Sequence, residues 1–238
     1  MKRIVLLAVL SLAAPISAQP VFSNPGIPTR ESFSIHEYLD EETGYITSKI
    51  NISADNEEHP QFYLIHVNEG GLYTNEIKIR YNDLTTVSEK RTNLKTNSVT
   101  QYYVKSGDSV HFYVETKNLH RDIETDETNI YSPLAYFFSF RGFPFGTGKT
   151  VSFQTYMYQY DNLLTMNLKN TGIATVTVKA GTYKCYNLEL SVGGWQSFFA
   201  PDKYYFYYTV SPPHLFIKYE EEVDGTWRAD ELTSYQSN

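Results

Sequence analysis

The chain has 238 residues, a formal net charge of −7 and a single cysteine, Cys185. That length suits one β domain, and the surplus of acid argues against the phosphate backbone of nucleic acid as a partner. One cysteine excludes an intrachain disulfide, so a packed core has to hold the fold.

Taken in chain order, Lys2 and Arg3 precede an apolar run, Ile4 to Ala14, and Pro15-Ile16-Ser17-Ala18 offers a cut before Gln19. The run falls short of the roughly twenty apolar residues of a membrane helix, and no cysteine follows it for lipid attachment. It reads as a secretory signal over residues 1–18, giving a periplasmic or secreted product that does not span the membrane after cleavage. Loss of Lys2 and Arg3 takes the net charge to −9. Residues 19–30, with Pro20, Pro25, Gly26 and Pro28, are expected to form a disordered, extended lead-in to a single β domain over 31–238.

Alternation of period two begins at Phe33: Phe33, Ile35 and Glu37 share one face, Ser34, His36 and Tyr38 the other. Tyr45–Ile52, Phe62–Val67 and Ile77–Tyr81 continue it, with a hairpin turn around Glu69-Gly70-Gly71. Tyr102–Val104 and Val110–Val114 flank a second turn at Ser106-Gly107-Asp108. Asn118 to Asn129 is polar and linker-like. Ser132 and Pro133 predict the start of one short helix carrying Leu134, Phe137, Phe138 and Arg141, stopped by Gly142 and Pro144. Strands resume at Val151–Thr155, Ile173–Val178, Tyr183–Val192, Lys203–Val210 and Leu215–Glu221, and the tail from Gly225 predicts one edge strand. Roughly nine to eleven strands must curl or split into layers. The expected fold is mainly β: a strongly curved antiparallel sheet, a half-barrel or open barrel, with one short helix.

No catalytic constellation stands out, and the chain reads as non-catalytic. Gly146-Thr147-Gly148-Lys149-Thr150 mimics the end of a phosphate loop, but Phe143 stands where that motif needs glycine and a strand follows in place of a helix. Asp122, Glu124, Asp126 and Glu127 lack the glycine of a calcium loop; they and Glu220-Glu221-Glu222 with Asp224 read as solvated. The six histidines show no metal-ligand spacing. No metal or cofactor is expected, and Cys185, in an alternating run, reads as an inert small side chain. The aromatic strand remains: Tyr204, Phe206 and Tyr208 on one face, Tyr205 and Tyr207 on the other, preceded by Trp195, Phe198 and Phe199. Rings on both faces mean either a plain core or the wall of an apolar pocket.

Several features together resemble an uncharacterised family of secreted bacterial domains, known only as a domain of unknown function. They are Ser132-Pro133-Leu134 leading to Arg141 and Pro144, Gly148 before a strand, Val178-Lys179-Ala180-Gly181-Thr182-Tyr183-Lys184-Cys185, Phe199-Ala200-Pro201-Asp202-Lys203-Tyr204-Tyr205-Phe206, and Pro212-Pro213-His214. The likeness covers 131–222, and Lys179 stands where many such domains have proline. It implies an architecture similar to periplasmic lipoprotein carriers, in which a curved sheet holds an acyl chain against short helices, and it brings no catalytic residue. The sequence therefore leads to an apolar or lipid-like ligand in the concave face of the sheet, with Trp195, Phe198, Phe199, Tyr205 and Tyr207 as its wall. The alternative is a structural or protein-interaction domain of the cell envelope whose own side chains fill the hollow.

Overall fold

The computed structural model describes residues 20–125, 130–146, 148–158, 162–193, 203–223 and 225–237. Eight strands run in sequence: β1 Arg30–Asp40, β2 Gly44–Ala54, β3 Phe62–Glu69, β4 Tyr73–Arg80, β5 Thr86–Asn93, β6 Ser98–Ser106, β7 Ser109–Val114 and β8 Leu119–Glu124. Six more follow: β9 Thr150–Met157, β10 Asn162–Val178, β11 Gly181–Val192, β12 Lys203–Thr209, β13 Phe216–Val223 and β14 Thr226–Ser237. All belong to one antiparallel sheet in the order β8-β7-β6-β5-β4-β3-β2-β1-β14-β13-β12-β11-β10-β9.

Two meanders thus meet in mid-sheet, where β1 pairs with β14 from Glu31 opposite Ser237 to His36 opposite Glu231. The edges are β8 and β9, neighbours in sequence but at opposite ends of the sheet. Alternation makes each strand two-faced: on β2, Ser48, Ile50 and Ile52 are buried while Thr47, Lys49 and Asn51 are exposed. Bulges at Ser34/Ile35, Asn170/Gly172 and Tyr207/Tyr208 add the twist that curls so wide a sheet.

The segment from Ile130 to Phe145 plugs the hollow. Ile130 forms a parallel bridge to Gln154 on β9, Tyr131 N donates to the Gln154 carbonyl at 3.0 Å, and Ser132 N donates to Thr86 Oγ1 on β5 at 3.0 Å. The plug therefore spans the gap between the two halves of the sheet. Side chains help to close the seam: Phe112 of β7 stacks on Tyr156 of β9 with centroids 3.5 Å apart. Inside, Pro133–Ala135 forms a 3-10 turn, Tyr136–Ser139 a single α turn (α1) and Phe140–Gly142 a second 3-10 turn. Ser132 caps it as the sequence suggests, its Oγ accepting from Leu134 N at 3.2 Å. Tyr131, Phe138 and Phe140 are wholly buried.

Several expectations are corrected. The lead-in is docked, because its apolar side chains find a place in the core: Phe22 and Ile27 are buried, and Phe22 packs edge-on against Tyr131 at 4.6 Å. The linker-like stretch contains β8, held by its ladder to β7. The tail is an interior strand between β13 and β1, and among the described residues fourteen strands replace the expected nine to eleven. Residues 1–18, with the expected signal, lie outside the described residues.

Gly142 is where lead-in and plug touch most closely. Ser23 N donates to its carbonyl at 3.1 Å. A Cβ on Gly142 would lie 2.6 Å from the Ser23 carbonyl oxygen and 2.7 Å from Leu84 Cδ1. Gly142→Ala is expected to destabilise by ~1–3 kcal/mol through this overpacking. Urea unfolding measures it, and an unchanged midpoint would show that the lead-in moves aside freely.

Candidate functional site

The plug does not fill the concave face completely. A cavity of about 340 Å³ remains between it and the sheet, within the range of small-ligand sites. The plug contributes Pro133, Leu134, Tyr136 and Phe137; β9, β10 and β11 contribute Met157, Met166 and Leu190; β12 and β13 contribute Tyr204, Phe206, Phe216 and Tyr219; Ile35 and Val67 come from β1 and β3. These positions face inward because they share the parity of the buried core. Leu134 and Phe137 are only partly buried, although they sit on the plug, because the void lies beside them.

One end of the cavity is acidic. Glu37 of β1, Glu69 of β3, Glu221 of β13 and Asp230 of β14 line it, together with Asn75 of β4. Glu69 is held by Arg91 Nη2 at 2.5 Å and by Asn75 Nδ2. Glu221 Oε2 accepts from the Tyr219 hydroxyl at 2.9 Å. Glu37 accepts from Ser48 Oγ, and Asp230 Oδ1 accepts from Tyr38 N at 2.9 Å. Burial pushes the Glu37 carboxyl up to about 7; the Ser48 hydrogen bond opposes this and the Glu69 charge adds to it. Burial likewise pushes Asp230 up to about 7, with further help from the charges of Glu37 and Glu221 and opposition from the Tyr38 amide. Among the described residues no group of His, Cys, Asp or Glu is arranged to hold a metal ion.

The aromatic strand is placed as its parity requires, with an outcome the sequence did not specify. Tyr204 and Phe206 line the cavity. Tyr205 and Tyr207, expected in the wall, lie on the opposite face. There Tyr205 stacks with Trp227 at 6.1 Å, and the Tyr207 hydroxyl donates to Glu220 Oε2 at 2.8 Å. Alternation makes this unavoidable once Phe206 points inward. Trp195, Phe198 and Phe199 lie outside the described residues. The acidic run divides in the same way: Glu221 faces the cavity, while Glu220 pairs with Lys218 at 2.9 Å on the other face. Sequence reasoning missed Glu37, Glu69, Glu221 and Asp230, although Glu37 stood in phase with Phe33 and Ile35. Cys185 is buried, and burial pushes its thiol up to about 12, so it stays protonated and inert.

The chain matches no family model and no curated protein. Among solved structures it is similar to a β-barrel-like protein of domain of unknown function DUF1849 from Brucella abortus, at 7% identity and TM-score 0.46, over 89% of this chain and 98% of that one. It is also similar to a protein described as exported, with a YmcC-like fold, from Bacteroides fragilis, at 12% identity and TM-score 0.39, over 91% of this chain and 100% of that one. A third is a protein described as a lipoprotein from Parabacteroides distasonis, at 11% identity and TM-score 0.33, over 88% of this chain and 97% of that one. Likeness of this degree carries no information on ligand or partner. No helix among the described residues is long and apolar enough to cross a membrane.

Proposed function

We propose that this protein binds a lipid-like, amphipathic molecule without catalysing a reaction on it, in a periplasmic or secreted setting reached through a signal over residues 1–18. The observation that carries the reading is the cavity of about 340 Å³ between plug and sheet, apolar along most of its wall. An apolar pocket of this size with a few convergent polar groups is the usual form of a small-ligand site.

Leu134→Trp tests the reading. The larger ring would enter the void beside the plug. Native mass spectrometry of gently purified protein is expected to show a co-purifying lipid-sized mass, lost in Leu134→Trp while the melting temperature is kept. A bare protein mass in both forms would favour the second reading, a structural or interaction domain of the cell envelope. That reading draws support from Phe22, Tyr131, Phe138 and Phe140, which already pack the rest of the hollow.

A further inference from the structure

We propose that the acidic end of the cavity selects a ligand whose head is positively charged and donates hydrogen bonds, so that the preferred class is a single-chain alkyl ammonium. This rests on the cavity being a ligand site and adds the chemistry of the head group.

The charge balance is the first ground. Four carboxylates, Glu37, Glu69, Glu221 and Asp230, line this end, and two arginines stand near them. Arg91 is committed to Glu69. Arg228 leans outward: its guanidinium lies 3.9 Å from both Glu221 and the exposed Glu41, and 4.2 Å over the Tyr38 ring. Among the described residues, neither Glu37 nor Asp230 has an ion-pair partner. Each carboxylate takes its hydrogen bond on one oxygen, Glu37 Oε1 from Ser48 and Asp230 Oδ1 from Tyr38 N. Oε2 and Oδ2 therefore remain for donors from outside the chain.

The second ground is independent of charge. Asn75 is 2% exposed and lines the cavity, yet its Oδ1 has no hydrogen-bond partner. Its orientation is fixed, because Nδ2 donates to Glu69 Oε1 and a flipped amide would set oxygen against oxygen. Arg91, opposite Asn75 in the register, does not serve it: Nη2 goes to Glu69 and Nε is itself unpaired. A buried acceptor left without a donor is costly. An ammonium offers three donors, enough for Asn75 Oδ1, Glu37 and Asp230 together. Its alkyl chain would lie along Phe137, Met166 and Phe206.

Coupling to protons follows. Burial holds Glu37 and Asp230 near 7, the Arg91 charge lowering Glu37 only in part. An arriving ammonium favours their ionised forms and expels protons. Affinity for the amine should thus rise between pH 5 and pH 8, and affinity for an uncharged analogue should not.

Titration calorimetry with decylamine, decanol and decanoate on the mature chain, each below its micelle concentration, tests the proposal. Decylamine is expected to bind roughly tenfold or more tighter than decanol, the scale of a charge-assisted hydrogen bond, with decanoate weakest. Asp230→Asn with Glu37→Gln should bring the amine-to-alcohol ratio down to about one. Equal affinity for decylamine and decanol in the unmodified protein overturns the ammonium proposal and leaves the cavity reading standing. A preference that survives both substitutions also overturns it, since the acidic surface at large would then be the cause. Failure of all three probes to bind removes the cavity reading and this proposal together.

Discussion

Arg141→Met is expected to destabilise the protein by ~3–5 kcal/mol, the effect of stranding a buried charge. Arg141 on the plug and Glu31 on β1 are both buried, their side chains 1% and 0% exposed, and they form a two-pronged pair through Nη1 and Nη2. The remaining polar atoms are also bound. Arg141 Nε donates to the Pro213 carbonyl at 3.0 Å, and the Tyr235 hydroxyl donates to Glu31 Oε2 at 3.1 Å. The pair thus ties the plug to the middle of the sheet and to the β12–β13 turn. Removing the guanidinium leaves Glu31 with Tyr235 alone in a water-poor interior. Against a typical total stability of ~5–15 kcal/mol, the loss is a large fraction. Glu31→Met together with Arg141→Met should recover most of it, because no buried charge then remains. Guanidinium unfolding of the single and double variants measures both effects. A single variant that unfolds within ~1 kcal/mol of the parent would mean that water reaches Glu31 readily.

Glu37→Gln with Asp230→Asn is expected to stabilise the protein at pH 8 and to leave it nearly unchanged at pH 4. Both carboxyls are raised on folding, from 4.5 and 3.8 to about 7. The native state therefore holds protons that the unfolded chain releases, and stability falls as pH climbs from about 4 through about 7. Above that range the penalty is fully present; below both unfolded values it vanishes. The two shifts, halved for the partial exposure of both groups, give ~2–4 kcal/mol at pH 8. The amides keep the local hydrogen bonds, since Gln can accept from Ser48 and Asn from the Tyr38 amide. Glu89 stays in both proteins. Burial raises it too, against hydrogen bonds from Ser132, Tyr158 and Gln101, so a residual slope of the same sign persists. Thermal melts from pH 4 to pH 8 read the difference. Parallel pH profiles for parent and variant would mean that these two carboxyls are ordinary in the folded state.

The two sites are linked by parity. Glu31 and Glu37 share a face of β1 with Phe33 and Ile35, and that alternation was legible in the sequence. The meaning of a carboxylate in an apolar phase was not, because an acid at a strand end is usually solvated. One such acid meets an arginine from the plug, 110 positions away, and the other opens into the cavity beside Asp230, which bonds the neighbouring Tyr38 amide across 192 positions. The aromatic strand makes the same point. Its two faces were correctly separated, but both carry rings, so composition could not say which was inward.

Local chemistry was enough for the β class, the positions of most strands and the capped turn at Ser132, because side-chain alternation and backbone capping act over a few residues. The polar strands β5 and β8 escaped it: Thr86–Asn93 and Leu119–Glu124 are strands by virtue of the ladders their neighbours offer. Tertiary structure alone decided the pairing of β1 with β14, the placing of β8 and β9 at opposite edges, and the cavity left beside the plug. Those features arise from partners far apart in the chain, whose register no nearby residue specifies.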